Sequence, residues 1–166
     1  MSDGFLIVNK SSGPTSHDVV AQARKKLQTK KIGHAGTLDP MATGVLVLGV
    51  GIGTRLLNLI VEGKKSYEAT ISLGSSTTTD DKDGELLKKY STAEIDESAI
   101  KSALSNFKGK IMQRPSSVSA IKIAGKAAHQ RVREGETVEI PPREVEIYKL
   151  EVKEIRKFED FIEVDV

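Results

Sequence analysis

The spacing of apolar and polar residues changes several times along the chain, and each change predicts an element. Phe5-Leu6-Ile7-Val8 is a short apolar run between Gly4 and a polar stretch ending at Pro14, which predicts a buried strand entering a loop. A helix is expected next. Thr15 or Ser16 can cap it, Asp18 falls in its first turn, and Val19, Val20, Ala23 and Leu27 recur at helical spacing. Residues 30–44 hold three glycines, one proline and few apolar side chains, and are expected to be loop. Residues 45–50 then predict a second buried strand, and residues 54–61 a short helix with Leu56, Leu57 and Ile60 inward.

The clearest alternation follows. Tyr67, Ala69, Ile71 and Leu73 interleave with Glu68, Thr70 and Ser72, so Tyr67 is expected at the start of a half-buried strand and on its apolar side. Residues 74–84 read as a polar turn region, and Asp96 can cap a helix reaching about Phe107, with Ile100, Ala103 and Leu104 facing the core. A strand at residues 110–113, a serine-rich loop after Pro115 and a short helix at residues 126–134 ended by Gly135 come next. Pro141-Pro142 breaks the path. A long one-face-exposed strand over residues 144–155 and a final strand at residues 161–166 complete the pattern. Helices interleaved with mostly antiparallel strands make the expected fold class α+β, with a mixed, mostly antiparallel sheet and flanking helices.

Composition narrows the chemistry. With 38% hydrophobic and 29% charged residues, 166 residues suffice for one globular domain. The absence of cysteine excludes disulfides, thiolate metal sites and cysteine nucleophiles in this sequence, and suits a reducing compartment, so a cytoplasmic location is expected. No apolar run approaches the ~18 residues of a membrane helix, and no membrane association is expected. The net charge of +2 hides an uneven distribution. No acidic residue stands between Phe107 and Arg133, where Lys108, Lys110, Arg114, Lys122, Lys126, Arg131 and Arg133 fall, and Arg24, Lys25, Lys26, Lys30 and Lys31 form a second basic cluster. Either run suits a phosphate backbone, or simply a solvated surface.

Reactive chemistry concentrates in Ile32-Gly33-His34-Ala35-Gly36-Thr37-Leu38-Asp39-Pro40-Met41-Ala42-Thr43-Gly44-Val45-Leu46. Glycines permit close backbone approach, and one carboxylate sits between an apolar residue and a proline just ahead of a strand. From these residues alone Asp39 is open to two readings, a reacting carboxylate or a turn aspartate bonded to its own backbone. Neighbouring signals fail on spacing: Gly49-Val50-Gly51-Ile52-Gly53 lacks the dinucleotide fingerprint, and Asp81-Lys82-Asp83-Gly84 lacks the outer ligands of a calcium loop.

Gly33 to Pro40 together with Ala42-Thr43-Gly44-Val45-Leu46 resembles the active-site motif of the TruB-type tRNA pseudouridine synthases, and other segments match in the same order. Residues 4–15 resemble the family's opening lysine-containing loop, Lys65-Ser66-Tyr67-Glu68 its tyrosine-bearing strand, and residues 79–84 its acidic turn. Gln113-Arg114-Pro115-Ser116, with Ser119-Ala120-Ile121-Lys122 and Gly125, resembles its proline-containing loop and following helix. The resemblance implies a pseudouridine synthase fold and an isomerase that converts uridine 55 in the T loop of tRNA to pseudouridine by breaking the N1–C1′ bond and rejoining the base through C5. By the same resemblance Asp39 is the catalytic carboxylate, as nucleophile at C1′ or base toward a ribose proton, with no metal and no organic cofactor. Tyr67 is expected to pack against a flipped base, His34 to contact the RNA, Lys10 to support the active-site loop at the substrate site, and Lys122 to meet phosphate. The expected partner is the tRNA T stem-loop, and the expected state a monomer.

Members of the family usually continue into a Lys-Gly-Thr-Tyr-Ile-Arg-like segment whose arginine pairs with the aspartate, and commonly into a PUA or other small RNA-binding domain. The chain is thus expected to be a catalytic domain, residues 1–166, incomplete at its C-terminus and without the PUA-like domain. An alternative expectation follows: a catalytically weak or inactive RNA-binding or chaperone fragment, since the carboxylate would lack its arginine. Thr78 and His129 depart from the acidic and aromatic residues common in relatives.

Overall fold

The structure is a computed structural model that describes residues 3–115, 122, 123, 126, 127 and 140–166, with the side chains of 122, 123, 126 and 127 outside the description. Contacts group the chain into two compact units, Met1–Ser66 and Tyr67–Val166.

In the first unit β1 (Gly4–Lys10), α1 (Ser16–Lys26), β2 (Ile32–Ala35) and β3 (Gly44–Val50) precede a 3-10 turn at Gly51–Leu56 and α2 (Leu57–Val61). The sheet order is β1-β3-β2, antiparallel throughout. Direct pairing of Leu6 with Leu48 and of Val8 with Leu46 puts these side chains on one face, because paired residues in a ladder point the same way. On that face Leu46 and Leu48 join Val20 and Ala23 of α1 and Ile32 of β2 in a buried cluster, packed by Val8, Val19, Leu38 and Val50. Burial of each leucine contributes roughly 1.5–3 kcal/mol.

α1 begins where its capping residues require. Thr15 Oγ1 accepts from the Asp18 amide at 3.1 Å while Asp18 Oδ2 accepts from the Thr15 amide at 2.8 Å, a reciprocal box that satisfies two otherwise orphaned donors. The opposite sheet face explains a difference from expectation. β1 and β3 are not buried on both sides: Phe5, Ile7 and Val45 are exposed, because α1 covers only the other face. Near the Gly33–Gly49 pair the second face is closed by α2, and an added Cβ on Gly49 would stand 2.8 Å from the Gly53 carbonyl oxygen. Leu57 is the buried residue of that helix, whereas Leu56, expected inward, is exposed. Leu27 is also exposed, since it forms the cap beyond the last turn of α1.

The second unit contains β4 (Thr70–Leu73), β5 (Ser75–Thr77), β6 (Leu86–Lys89), α3 (Glu97–Ser105), β7 (Gly109–Gln113), β8 (Lys122–Ile123), β9 (Lys126–Ala127), β10 (Arg143–Ile147), β11 (Glu154–Lys157) and β12 (Ile162–Asp165). Its three-stranded sheet runs β11-β12-β4. Ile162 and Val164 from β12 and Ile100 from α3 form its buried cluster, against which Ile71, Leu73, Ile95, Leu104, Val152 and Ile155 pack. Asp96 caps α3 by accepting from the Ala99 amide at 2.6 Å. Pairs β5-β6, β7-β10 and β8-β9 are further antiparallel ladders. Every ladder between described strands is antiparallel, and with the helices this makes the fold class α+β.

Four local expectations need correction. Residues 32–35 form β2 rather than loop, because pairing to β3 supplies the hydrogen bonds that a glycine-rich segment lacks by itself. The polar region at residues 74–84 is in part β5, the first strand of a hairpin with β6. Residues 126 and 127 are paired strand, not the first turn of a helix, and residues 128–134 of that expected helix lie outside the described residues. The long strand expected over residues 144–155 is two strands, β10 and β11, in different sheets.

Candidate active site

Asp39 lies on the connection between β2 and β3, and its side chain is exposed. The backbone around it is held from three directions. Lys10, at the end of β1 and opposite Gly44, is only 1% exposed, and its Nζ donates to the carbonyl oxygens of Ala42 at 2.7 Å, Pro40 at 3.1 Å and Ser11 at 3.0 Å. An ammonium has three donors, and all three are used here. Burying a cation is costly unless it is well solvated by protein dipoles, so these carbonyls have little freedom to rotate away. The Pro40 carbonyl also accepts from the Gly13 amide at 2.8 Å.

Ahead of Asp39, the hydroxyl of Ser16 accepts from the Leu38 amide at 2.9 Å and donates to the Leu38 carbonyl at 3.0 Å. Leu38 itself packs against the first unit's buried cluster. Behind Asp39, its own carbonyl accepts from the Ala42 amide at 3.0 Å, closing a turn over Pro40 and Met41. Asp39 is therefore part of a turn through its main chain, and its carboxylate projects from it. Gly36 takes a φ of +88°, a conformation that L side chains rarely adopt, with open space where a Cβ would be. Its requirement is conformational, whereas that of Gly49 is room.

His34 stands at the same connection, on β2. Its Nδ1 lies 2.6 Å from the Gly36 carbonyl oxygen, and a carbonyl can only accept, so Nδ1 is the donor in this bond. The imidazole also meets His17 of α1 edge to face, with centroids 5.1 Å apart and planes at 84°. Sequence reasoning missed both His17 and the Ser16–Leu38 bond pair, Ser16 having been expected only as a possible helix cap. Their only signal was position in the first turn of a helix that follows the lysine-bearing loop.

In the second unit Tyr67 is exposed, at 68%, and precedes β4 by three residues rather than opening it. The ladder nonetheless extends toward it, since Ala69 and Val166 exchange both backbone bonds, at 3.1 and 2.9 Å. Lys122 is a strand residue paired with Ala127, and its side chain lies outside the described residues, as do Arg131 and Arg133 of the same basic run. Of the other cluster, Lys25, Lys26, Lys30 and Lys31 are exposed, while Arg24 donates through Nη2 to the Ile32 carbonyl at 2.7 Å. Among the described residues no group of three or more His, Cys, Asp or Glu could hold a metal ion. No described helix is long and apolar enough to cross a membrane.

In sequence and in fold the chain is similar to known proteins. The model of the TruB family pseudouridylate synthase N-terminal domain matches residues 24–166, and the chain belongs to that family. It is 57% identical over 166 residues to tRNA pseudouridine synthase B of Corynebacterium diphtheriae, covering 98% of this chain and 55% of that protein. The enzyme of the same name from Thermobifida fusca is 50% identical over 169 residues, covering 99% and 58% respectively, and that of Mycobacterium avium 48% identical over 163 residues, covering 98% and 53%. The chain spans about half the length of these curated relatives. Among solved structures it is similar to a chain of an H/ACA RNP bound to a substrate RNA containing 2′-deoxyuridine, with TM-score 0.58 and 25% identity over 98% of this chain and 37% of that one. A Cbf5-Nop10-Gar1 complex gives TM-score 0.57 at 25% identity, over 98% and 39%.

Proposed function

We propose that this chain carries the reacting carboxylate of a tRNA pseudouridine synthase, and that Asp39 is that carboxylate. The observation that carries the reading is the contrast at Asp39: a side chain open to solvent on a backbone held on both sides by Ser16, Lys10 and Gly13. A nucleophile or base gains rate from being held in one geometry before substrate arrives, and such a loop provides that. The relatives' shared name supports tRNA as substrate, and the motif match supports uridine 55 of the T stem-loop as the target.

In this reading the uridine leaves its stack so that its ribose reaches Asp39. The carboxylate either attacks C1′, forming a glycosyl ester and releasing uracil as the anion, or removes a ribose proton to expel it. The base turns and C5 bonds to C1′ as the ester C1′–O bond breaks or, in the second route, as Asp39 returns the ribose proton; the C5 proton then leaves and N1 takes one up. Tyr67 supplies an exposed ring for stacking on the displaced base, His34 contacts the RNA, and Lys122 meets phosphate. Lys10 acts through the loop, since its ammonium donors are already taken.

The test is pseudouridine formation in an unmodified tRNA transcript. It uses the chain alone and the chain joined to the remaining half of the Corynebacterium diphtheriae relative, each with and without Asp39→Asn. Turnover abolished by Asp39→Asn, with folding and tRNA binding retained, is the expected result. Turnover that survives the substitution, or none in either protein, overturns the reading, the latter in favour of an RNA-binding fragment.

A further inference from the structure

We propose that Ser16 is a positioning residue for the Asp39 carboxylate, acting through the main chain of Leu38; this rests on the reading of Asp39 given above. Ser16 is the first residue of α1 and is 1% exposed. Its position suggests a helix cap, yet that role belongs to Thr15, whose hydroxyl accepts the Asp18 amide at 3.1 Å. The Ser16 hydroxyl is thereby left to the loop. It makes two bonds to one residue, accepting from the Leu38 amide at 2.9 Å and donating to the Leu38 carbonyl at 3.0 Å. A single side chain does for Leu38 what a neighbouring strand does for a residue in a sheet.

The consequence for Asp39 is geometric. The Leu38 carbonyl belongs to the peptide that ends at the Asp39 nitrogen, so holding that oxygen sets the plane from which the Asp39 side chain leaves. On the far side, Lys10 Nζ and the Gly13 amide hold the Pro40 carbonyl. Lys10 and Ser16 therefore grip opposite flanks of Asp39 from different elements, β1 and α1. Without the hydroxyl, the half-buried Leu38 amide and carbonyl lose their shared partner, and the loop moves to satisfy them. A shift on the order of 1 Å in a reacting group costs about 100-fold in rate.

The experiment compares wild type, Ser16→Ala, Ser16→Thr and Asp39→Asn in the protein that shows turnover, reading single-turnover pseudouridine formation, tRNA affinity and amide hydrogen exchange. Ser16→Ala is expected to lower the single-turnover rate about 10- to 100-fold with tRNA affinity unchanged. It should speed exchange of the Leu38 and Ala42 amides about tenfold while leaving Leu48 of β3 protected. Ser16→Thr, which keeps a hydroxyl, should restore part of the rate. A wild-type rate in Ser16→Ala beside an inactive Asp39→Asn overturns the Ser16 role alone, and so does loss of Leu48 protection, which would mark general unfolding. An active Asp39→Asn overturns the reading of Asp39 itself.

Discussion

Lys10 Nζ lies 2.7 Å from the carbonyl oxygen of Ala42, while the Lys10 backbone pairs with Gly44 two residues later. One residue thus holds the loop on Asp39's C-terminal side twice, by its ammonium and by the β1-β3 ladder. Removal of the lysine should therefore carry a structural cost. Lys10→Met keeps the apolar stem and removes the donors, leaving the Ala42 carbonyl without its 2.7 Å partner. Loss of charged hydrogen bonds of this kind costs about 1.5–3 kcal/mol. A fall of that size in stability by urea unfolding, together with slower turnover, is expected; an unchanged midpoint would show that the three bonds contribute nothing net.

Tyr67 should behave in the opposite way. It is 68% exposed, so Tyr67→Ala should change stability by no more than about 0.5 kcal/mol. Turnover should nevertheless fall sharply if the ring stacks on the displaced base. Parallel melting curves and single-turnover assays check this, and a fully active, equally stable variant removes Tyr67 from the site.

Leu48 tests the scaffold beneath the loop. It is 0% exposed in the cluster shared by α1, β2 and β3, and Leu48→Ala leaves a cavity there. A loss of about 2–5 kcal/mol is expected from denaturant titration of the variant. A smaller loss would mean that the cluster collapses to fill the space.

Acid should weaken the second unit through Asp165. Its carboxyl is lowered from 3.8 to about 2, first by hydrogen bonding to Arg156 and then by the Thr70 hydroxyl. Arg156 Nη2 also donates to Glu163 Oε2 at 2.9 Å and to Asp165 Oδ1 at 3.1 Å, so one guanidinium ties two acids of β12 to β11. A carboxylate whose folded pKa is depressed stabilises the fold above its unfolded value and loses that contribution as pH falls through the folded one. The contribution should therefore be full above about pH 4 and fade toward pH 2. Urea midpoints measured across that window should fall more steeply in wild type than in Asp165→Asn; equal slopes would refute the coupling.

Much of this molecule is readable from local pattern. A cap on α1 at Thr15 or Ser16, Asp96 capping α3 and the apolar runs of β1 and β3 follow from chemistry within a few residues, and the structure has them, with Thr15 as the α1 cap. Asp39 stands out by its setting among glycines and a proline and by the resemblance of its loop to the family motif; the family's model matches residues 24–166. Less readable was β2. Ile32-Gly33-His34-Ala35 has weak strand character, and it is a strand because β3 lies beside it with Gly33 facing Gly49.

Sequence alone determined the family, because a motif is a set of side chains and needs no coordinates, and it pointed to the residues proposed to bear the chemistry. It determined the starts of α1 and α3, because their caps act within one turn. Tertiary structure decided what the surrounding residues do with their hydrogen bonds. Lys10 and Ser16 reach partners thirty-two and twenty-two residues away, and no local pattern reveals that a lysine ammonium and a serine hydroxyl will spend their bonding capacity on the main chain beside one aspartate. The reason is that such bonds exist only after β1, β3 and α1 have packed around Leu46 and Leu48, bringing distant backbone within reach of side chains closed off from water.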